Sequence, residues 1–133
     1  MGTEKWLREP VERDFTSASD FLSLLVSQRS ADATVAALRK APPIIRKSKD
    51  IFRAGRLEQL PPDNPHVHRD LEKIKKGVPL SPVLLVRGDL MAGRSLTVAD
   101  GYHRVCAVHH LDDEADIACR MVDLKPGKRP ARR

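Results

Sequence analysis

Five consecutive residues carry the chemistry that this sequence offers: Asp100, Gly101, Tyr102, His103 and Arg104. A strand pattern runs into Asp100, and a helix pattern opens after Gly101. At such a junction the first N–H groups of the helix have no intrahelical partner, and the helix dipole adds partial positive charge. The spot suits an anion, phosphate above all. Gly101 permits a tight turn and close backbone approach. Arg104 can grip phosphate through two N–H groups, and His103 can donate one more hydrogen bond. Gly101, Tyr102, His103 and Arg104 therefore form the candidate phosphate-binding set. Asp100 is the candidate catalytic residue, as a base for a substrate hydroxyl or as a ligand for Mg²⁺. The same spacing also suits a purely structural role, with Asp100 as helix N-cap and Arg104 as its ion-pair partner.

Other reactive residues make weaker patterns. His103, Cys106 and His110 recur at i, i+3 and i+7 on one helix face, but a metal site needs ligands converging from several elements. His66 and His68 stand two apart on a helix and do not face each other. Cys106 and Cys119 read as small core residues, and two cysteines do not make a disulfide framework. Lys73, Lys75, Lys76 and Arg87 flank the segment before the first apolar run and suit a solvated surface. The chain has no Walker-type glycine loop and no serine in a nucleophile-elbow context.

The elements that must position residues 100–104 follow from pattern. Residues 82–86 are a continuous apolar run bounded by Pro82 and Gly88, which predicts a strand buried on both faces. Residues 87–94, with Gly88, Asp89 and Gly93, predict a hairpin loop. Alternation predicts a second strand over residues 96–100, a helix then runs to Leu111, and residues 115–122 form a last strand. Upstream, Asn64-Pro65 opens a helix over residues 65–76, with Val67, Leu71 and Ile74 on one face and Gly77 as its stop. Residues 1–15 are expected to form a loose arm. A short helix capped by Thr16, Ser17 or Ser19 is expected to carry Phe21, Leu22, Leu24, Leu25 and Val26. A second helix, capped by Ser30 or Asp32, carries Val35 and Leu38. A third is expected from Pro43 to Gly55, with Ile44, Ile45, Ile51 and Phe52 apolar.

From about Lys75 onward the chain resembles the ParB/sulfiredoxin-like superfamily, and the resemblance covers roughly residues 63–123. Pro79-Leu80-Ser81-Pro82-Val83-Leu84-Leu85-Val86 resembles its entry segment and first core strand. Asp100-Gly101-Tyr102-His103-Arg104-Val105-Cys106-Ala107 resembles its nucleotide-phosphate motif, nearest to the Asp-Gly-His-His-Arg of its free serine kinases. The resemblance implies a unit with a small mixed β-sheet over those residues; with the N-terminal helices that the pattern predicts before it, the expected fold is α+β. The resemblance also implies ATP, ADP or CTP with Mg²⁺ as ligand, and a phosphotransferase or nucleotide hydrolase as the activity class. Tyr102 stands where sulfiredoxins have their reactive cysteine, so sulfinic-acid reduction of that type is excluded, a phenol being no thiolate. About ten residues follow the last strand, too few for the DNA-reading module of ParB. The kinases' further acid has no assigned counterpart; Glu58 and Glu72 are the candidates.

Length and charge set the frame. A chain of 133 residues is long enough for one domain with a real core. Residues 1–62 read as arm and helices, residues 63–124 as the core unit packed with them, and residues 125–133 as a basic tail. Aromatics at 4% argue against single-stranded nucleic-acid binding by base stacking. No apolar run reaches a membrane span, and the N-terminus shows no signal-peptide pattern, so a cytoplasmic protein without a membrane partner is expected. The net charge of +6 is concentrated. Residues 125–133 hold five basic residues and no acid, and residues 39–56 hold seven against Asp50. These two segments carry the alternative function, a non-enzymatic DNA- or partner-binding module.

Overall fold

The computed structural model describes residues 5–127. Most of the basic tail, residues 128–133, lies outside the described residues. The fold is α+β, with five helices and a four-stranded mixed sheet among the described residues. In chain order the elements are α1 (Glu12–Leu22), α2 (Gln28–Lys40), β1 (Ile44–Lys47), α3 (Ser48–Gly55), α4 (Pro65–Lys75), β2 (Val83–Val86), β3 (Thr97–Asp100), α5 (Tyr102–Leu111) and β4 (Asp116–Val122).

The sheet runs β1-β4-β2-β3. β2 and β4 pair in parallel at its centre, and β1 and β3 are antiparallel edges. All four residues of β2 are buried, as its unbroken apolar run predicts. Leu84 and Val86 face the core shared with α1 and α2, including Phe15, Ala18, Leu22 and Leu38. Val83 and Leu85 face the opposite core, with Ile51 of α3, Val105 and Val108 of α5, and Ile117 of β4. α4 packs on the far side of α5 through Val67, Cys106 and Ala107.

The N-terminal half departs from local expectation. Residues 44–47 form a strand, not a helix. Pro42-Pro43 starves a helix of N–H donors, two β-branched isoleucines follow, and β4 presents an unpaired edge. Ile44 pairs with Cys119 and Lys47 with Asp116 there, so the sheet draws a strand from the first half of the chain. The helix begins only at Ser48. Its left-handed cap is Arg56 at φ 51°, not Gly55.

α1 starts at Glu12 and ends at Leu22, so the expected helix carrying Leu24 and Leu25 is out of phase. Its buried face is Asp14, Phe15, Ala18 and Leu22, whereas Phe21, Leu24 and Leu25 are exposed. α2 is capped by Ser27, whose side chain accepts from the Ser30 N–H. Residues 5–11 are not a loose arm. Trp6 bridges Leu80, with Leu7 N–H donating to the Leu80 carbonyl at 2.7 Å and Leu80 N–H to that of Lys5 at 2.8 Å. Buried Arg120 of β4 ties the same segment to the end of α2, donating to the carbonyls of Arg8 (3.1 Å) and Ala41 (2.8 Å) and to Glu9 (2.9 Å).

Candidate functional site

Residues 100–104 sit where the sequence pattern puts them, at the β3–α5 junction. Asp100 closes β3 and pairs with Leu84 of β2. Gly101 is the N-cap of α5 with φ 111°, a conformation that L side chains rarely adopt. A Cβ there would lie 2.9 Å from Arg104 Nη2 and 3.0 Å from Val83 Cγ2, so the turn admits only glycine without rearrangement. No side chain caps α5. Its first-turn N–H groups therefore keep their capacity for an external acceptor.

Asp100 is not the cap; it is the ion-pair partner of Arg104. Arg104 Nη2 donates to Asp100 Oδ2 at 3.1 Å and to the Pro82 carbonyl at 3.4 Å, and lies 3.7 Å from Asp14 Oδ2. Ser81 Oγ donates to the same Asp14 oxygen. All three charged side chains are largely buried, at 16% exposure for Arg104, 18% for Asp100 and 9% for Asp14. Two carboxylates thus share one guanidinium in a poorly hydrated place. Burial pushes the Asp100 carboxyl up to about 6; Arg104 opposes this and Asp14 adds to it. The Arg104 Nε is buried and has no hydrogen-bond partner among the described residues.

His103 faces α4. Its ring lies 4.6 Å from that of His66 and 5.6 Å from that of Tyr102, centroid to centroid. Burial, and then His66, push the His103 pKa down, which keeps the imidazole neutral near pH 7 with one N–H to donate. Asp70 of α4 is buried beside it. Desolvation raises the Asp70 pKa, against the pull of Arg104, Lys73, His103 and Arg69. Arg69 and Lys73 stand one turn apart on the same helix, so the α4 side of the junction carries cations around one buried acid.

Tyr102, expected among the phosphate ligands, turns its hydroxyl to the Glu58 carbonyl and holds the α3–α4 connector over α5. Glu58 contributes that carbonyl. The main-chain carbonyl of Glu72 accepts from Lys76 N–H at the end of α4. Burial first, and then the neighbouring Cys106 and the Glu58 charge, push the Tyr102 phenol up. The fold adds two acids to the junction that the sequence pattern did not single out, Asp14 and Asp70. Asp14 comes from 86 positions before Asp100; the one local hint was an acid on the otherwise apolar face of α1.

The other candidates separate. His110 Nε2 bonds the Leu60 carbonyl at 2.6 Å and Cys106 is buried, so the His103, Cys106 and His110 face does not converge. No group of three or more His, Cys, Asp or Glu side chains among the described residues is placed to hold a metal ion. The basic stretch over residues 39–56 is split among α2, β1 and α3. Arg39, Lys47 and Lys49 meet Glu12, Asp116 and Glu114, while Arg46, Arg53 and Arg56 face a cavity near the far end of β2. No described helix is long and apolar enough to cross a membrane. Comparison of the chain with protein-family models, with curated proteins and with solved structures yields no match.

Proposed function

We propose that the protein binds a nucleotide by its phosphates at the opening turn of α5, and that Asp100 acts there as a base in phosphoryl transfer or nucleotide hydrolysis. One juxtaposition carries this reading: an uncapped helix N-terminus behind a glycine at φ 111°, directly beside a buried carboxyl raised to about 6. The first-turn N–H groups and the neutral His103 supply donors, and Arg69 and Lys73 supply positive charge from α4. Arg104 orients Asp100 and holds it with Asp14. A carboxyl titrating near 6 is ionised at neutral pH and still basic enough to accept a proton. The proton of an attacking hydroxyl or water passes to Asp100 Oδ as its oxygen bonds to the terminal phosphorus, while the bond from that phosphorus to the bridging oxygen breaks and the shortened nucleoside phosphate leaves with the electron pair. Mg²⁺ would arrive with ATP, ADP or CTP, and Asp100 is the carboxylate that would hold it, the ion neutralising phosphate charge. The resemblance to the ParB/sulfiredoxin-like superfamily supports the same ligand class.

Isothermal titration of the protein with ATP, CTP, ADP and NAD, each with Mg²⁺, tests the proposal. At least one should bind, and His103→Ala should weaken it about tenfold through the lost hydrogen bond to phosphate. A wild-type protein unresponsive to all four sinks it.

A further inference from the structure

A cavity of about 720 Å³ opens near the far end of β2, away from residues 100–104. Five arginines line it: Arg46 from β1, Arg53 from α3, Arg56 from the C-cap of α3, and Arg87 and Arg94 from the β2–β3 hairpin. Only two acids, Asp50 and Asp89, lie among them. Arg53 reaches Asp50 at 3.7 Å and Arg94 reaches Asp89 at 4.0 Å, while Arg87 turns to Asp123 at 2.8 Å. Among the described residues the Arg46 guanidinium donates only to the carbonyl of Ile45, and no carboxylate lies within ion-pair distance of Arg46 or Arg56. Arg56 also holds the left-handed cap of α3, a conformation that favours glycine.

The floor is apolar: Ile51, Leu85, Leu96 and Met121. Leu90 of the hairpin adds to the wall and is 96% exposed. The hairpin is tightly drawn. Asp89 and Arg94 exchange both main-chain hydrogen bonds, and a Cβ on Gly88 would lie 2.7 Å from Leu96 N. A solvated basic surface would need neither the concavity nor the apolar floor. The guanidinium groups of Arg46 and Arg56, with no carboxylate partner among the described residues, leave net positive charge at the cavity for an anion to neutralise. The volume lies within the range of small-molecule sites, where an apolar lining with a few charged groups fixes one orientation.

We infer that this cavity is a second ligand site, for a small organic anion whose apolar body lies on Leu85, Leu96 and Met121 and whose phosphate or carboxylate group meets Arg46 and Arg56. It does not depend on the α5 site. The probe is 1-naphthyl phosphate, followed by the ¹³C-methyl resonance of Met121, with inorganic phosphate and 1-naphthol as its two halves. The Met121 methyl should shift saturably with 1-naphthyl phosphate, and each half should bind at least about tenfold more weakly. Arg46→Ala combined with Arg56→Gly should raise the Kd about tenfold or more. Both side chains are exposed and glycine suits the left-handed cap, so the variant should fold. A Met121 methyl that does not move, or a double variant that binds like wild type, overturns the inference. An anion taken up at the α5 turn would leave Met121 unshifted.

Discussion

Replacing Asp100 by Asn isolates the electrostatic heart of the junction. In the folded protein this carboxyl titrates at about 6 against an ordinary 3.8. Below pH 3.8 it is protonated in both folded and unfolded chains and makes no difference. Between 3.8 and about 6 the folded chain binds more protons than the unfolded one, so stability falls as pH rises. Above about 6 the cost of the buried charge is complete. The interval corresponds to at most about 3 kcal/mol, at about 1.36 kcal/mol per pH unit. The side chain is 18% exposed, so residual hydration makes about 2 kcal/mol a fairer expectation. Asn keeps the shape and an acceptor oxygen for Arg104, while Asp14 remains 3.7 Å from that guanidinium. Urea titrations of both proteins from pH 4 to pH 8 measure the effect. The two should be of similar stability near pH 4, and the variant should be the more stable by pH 7. A stability difference that stays flat across this range, or that grows in favour of wild type, refutes the assignment of a raised carboxyl at this position. If Asp100 is also the base, turnover should rise with pH through about 6 and be lost in the Asn variant.

Gly101→Ala should cost about 1–3 kcal/mol in chemical denaturation, because alanine resists a φ of 111° and its Cβ would crowd Val83 and Arg104; a neutral result would remove the special role of this turn. Leu84→Ala, at a fully buried position in the central strand, should cost about 2–5 kcal/mol in the same assay, and a loss under 1 kcal/mol would contradict its place in the core. Arg120→Met should lower stability by about 2–3 kcal/mol, since two main-chain carbonyls lose their donor, whereas Glu9→Gln, at 71% exposure, should change it by less than about 1 kcal/mol. The thiols should be inert in the folded state: burial pushes Cys119 up to about 12 and raises Cys106 as well, so Ellman's reagent at pH 8 should label neither until urea is added.

The legible parts of this chain were those whose signals are local. Asn64-Pro65 starts α4, the apolar run of β2 has punctuation at both ends, and a glycine separates the alternation of β3 from the helical spacing of α5. These features fixed the α+β class and the strand-to-helix junction holding residues 100–104, because caps, breakers and periodicity act over a few residues. Residues 44–47 were beyond such signals. Two isoleucines and two basic residues serve a helix or a strand equally, and the open edge of β4 decides between them. The phase of α1 was also set from outside, by which face the sheet would bury.

The site divides in the same way. Asp100, Gly101, His103 and Arg104 could be picked out by type and spacing, yet their roles depend on groups far off in the chain. Asp14 and Ser81 join Arg104 from separate elements and turn a candidate phosphate clamp into the holder of a carboxyl. Asp70 and His66 arrive only because α4 packs on α5. The arginine-lined cavity is likewise invisible in one dimension, its five guanidinium groups being spread over 49 positions. Sequence by itself determined where a helix would open onto a glycine and an acid. Tertiary structure decided which charges that acid would meet and how little water would reach it, and burial and charge proximity are properties of the packed chain alone.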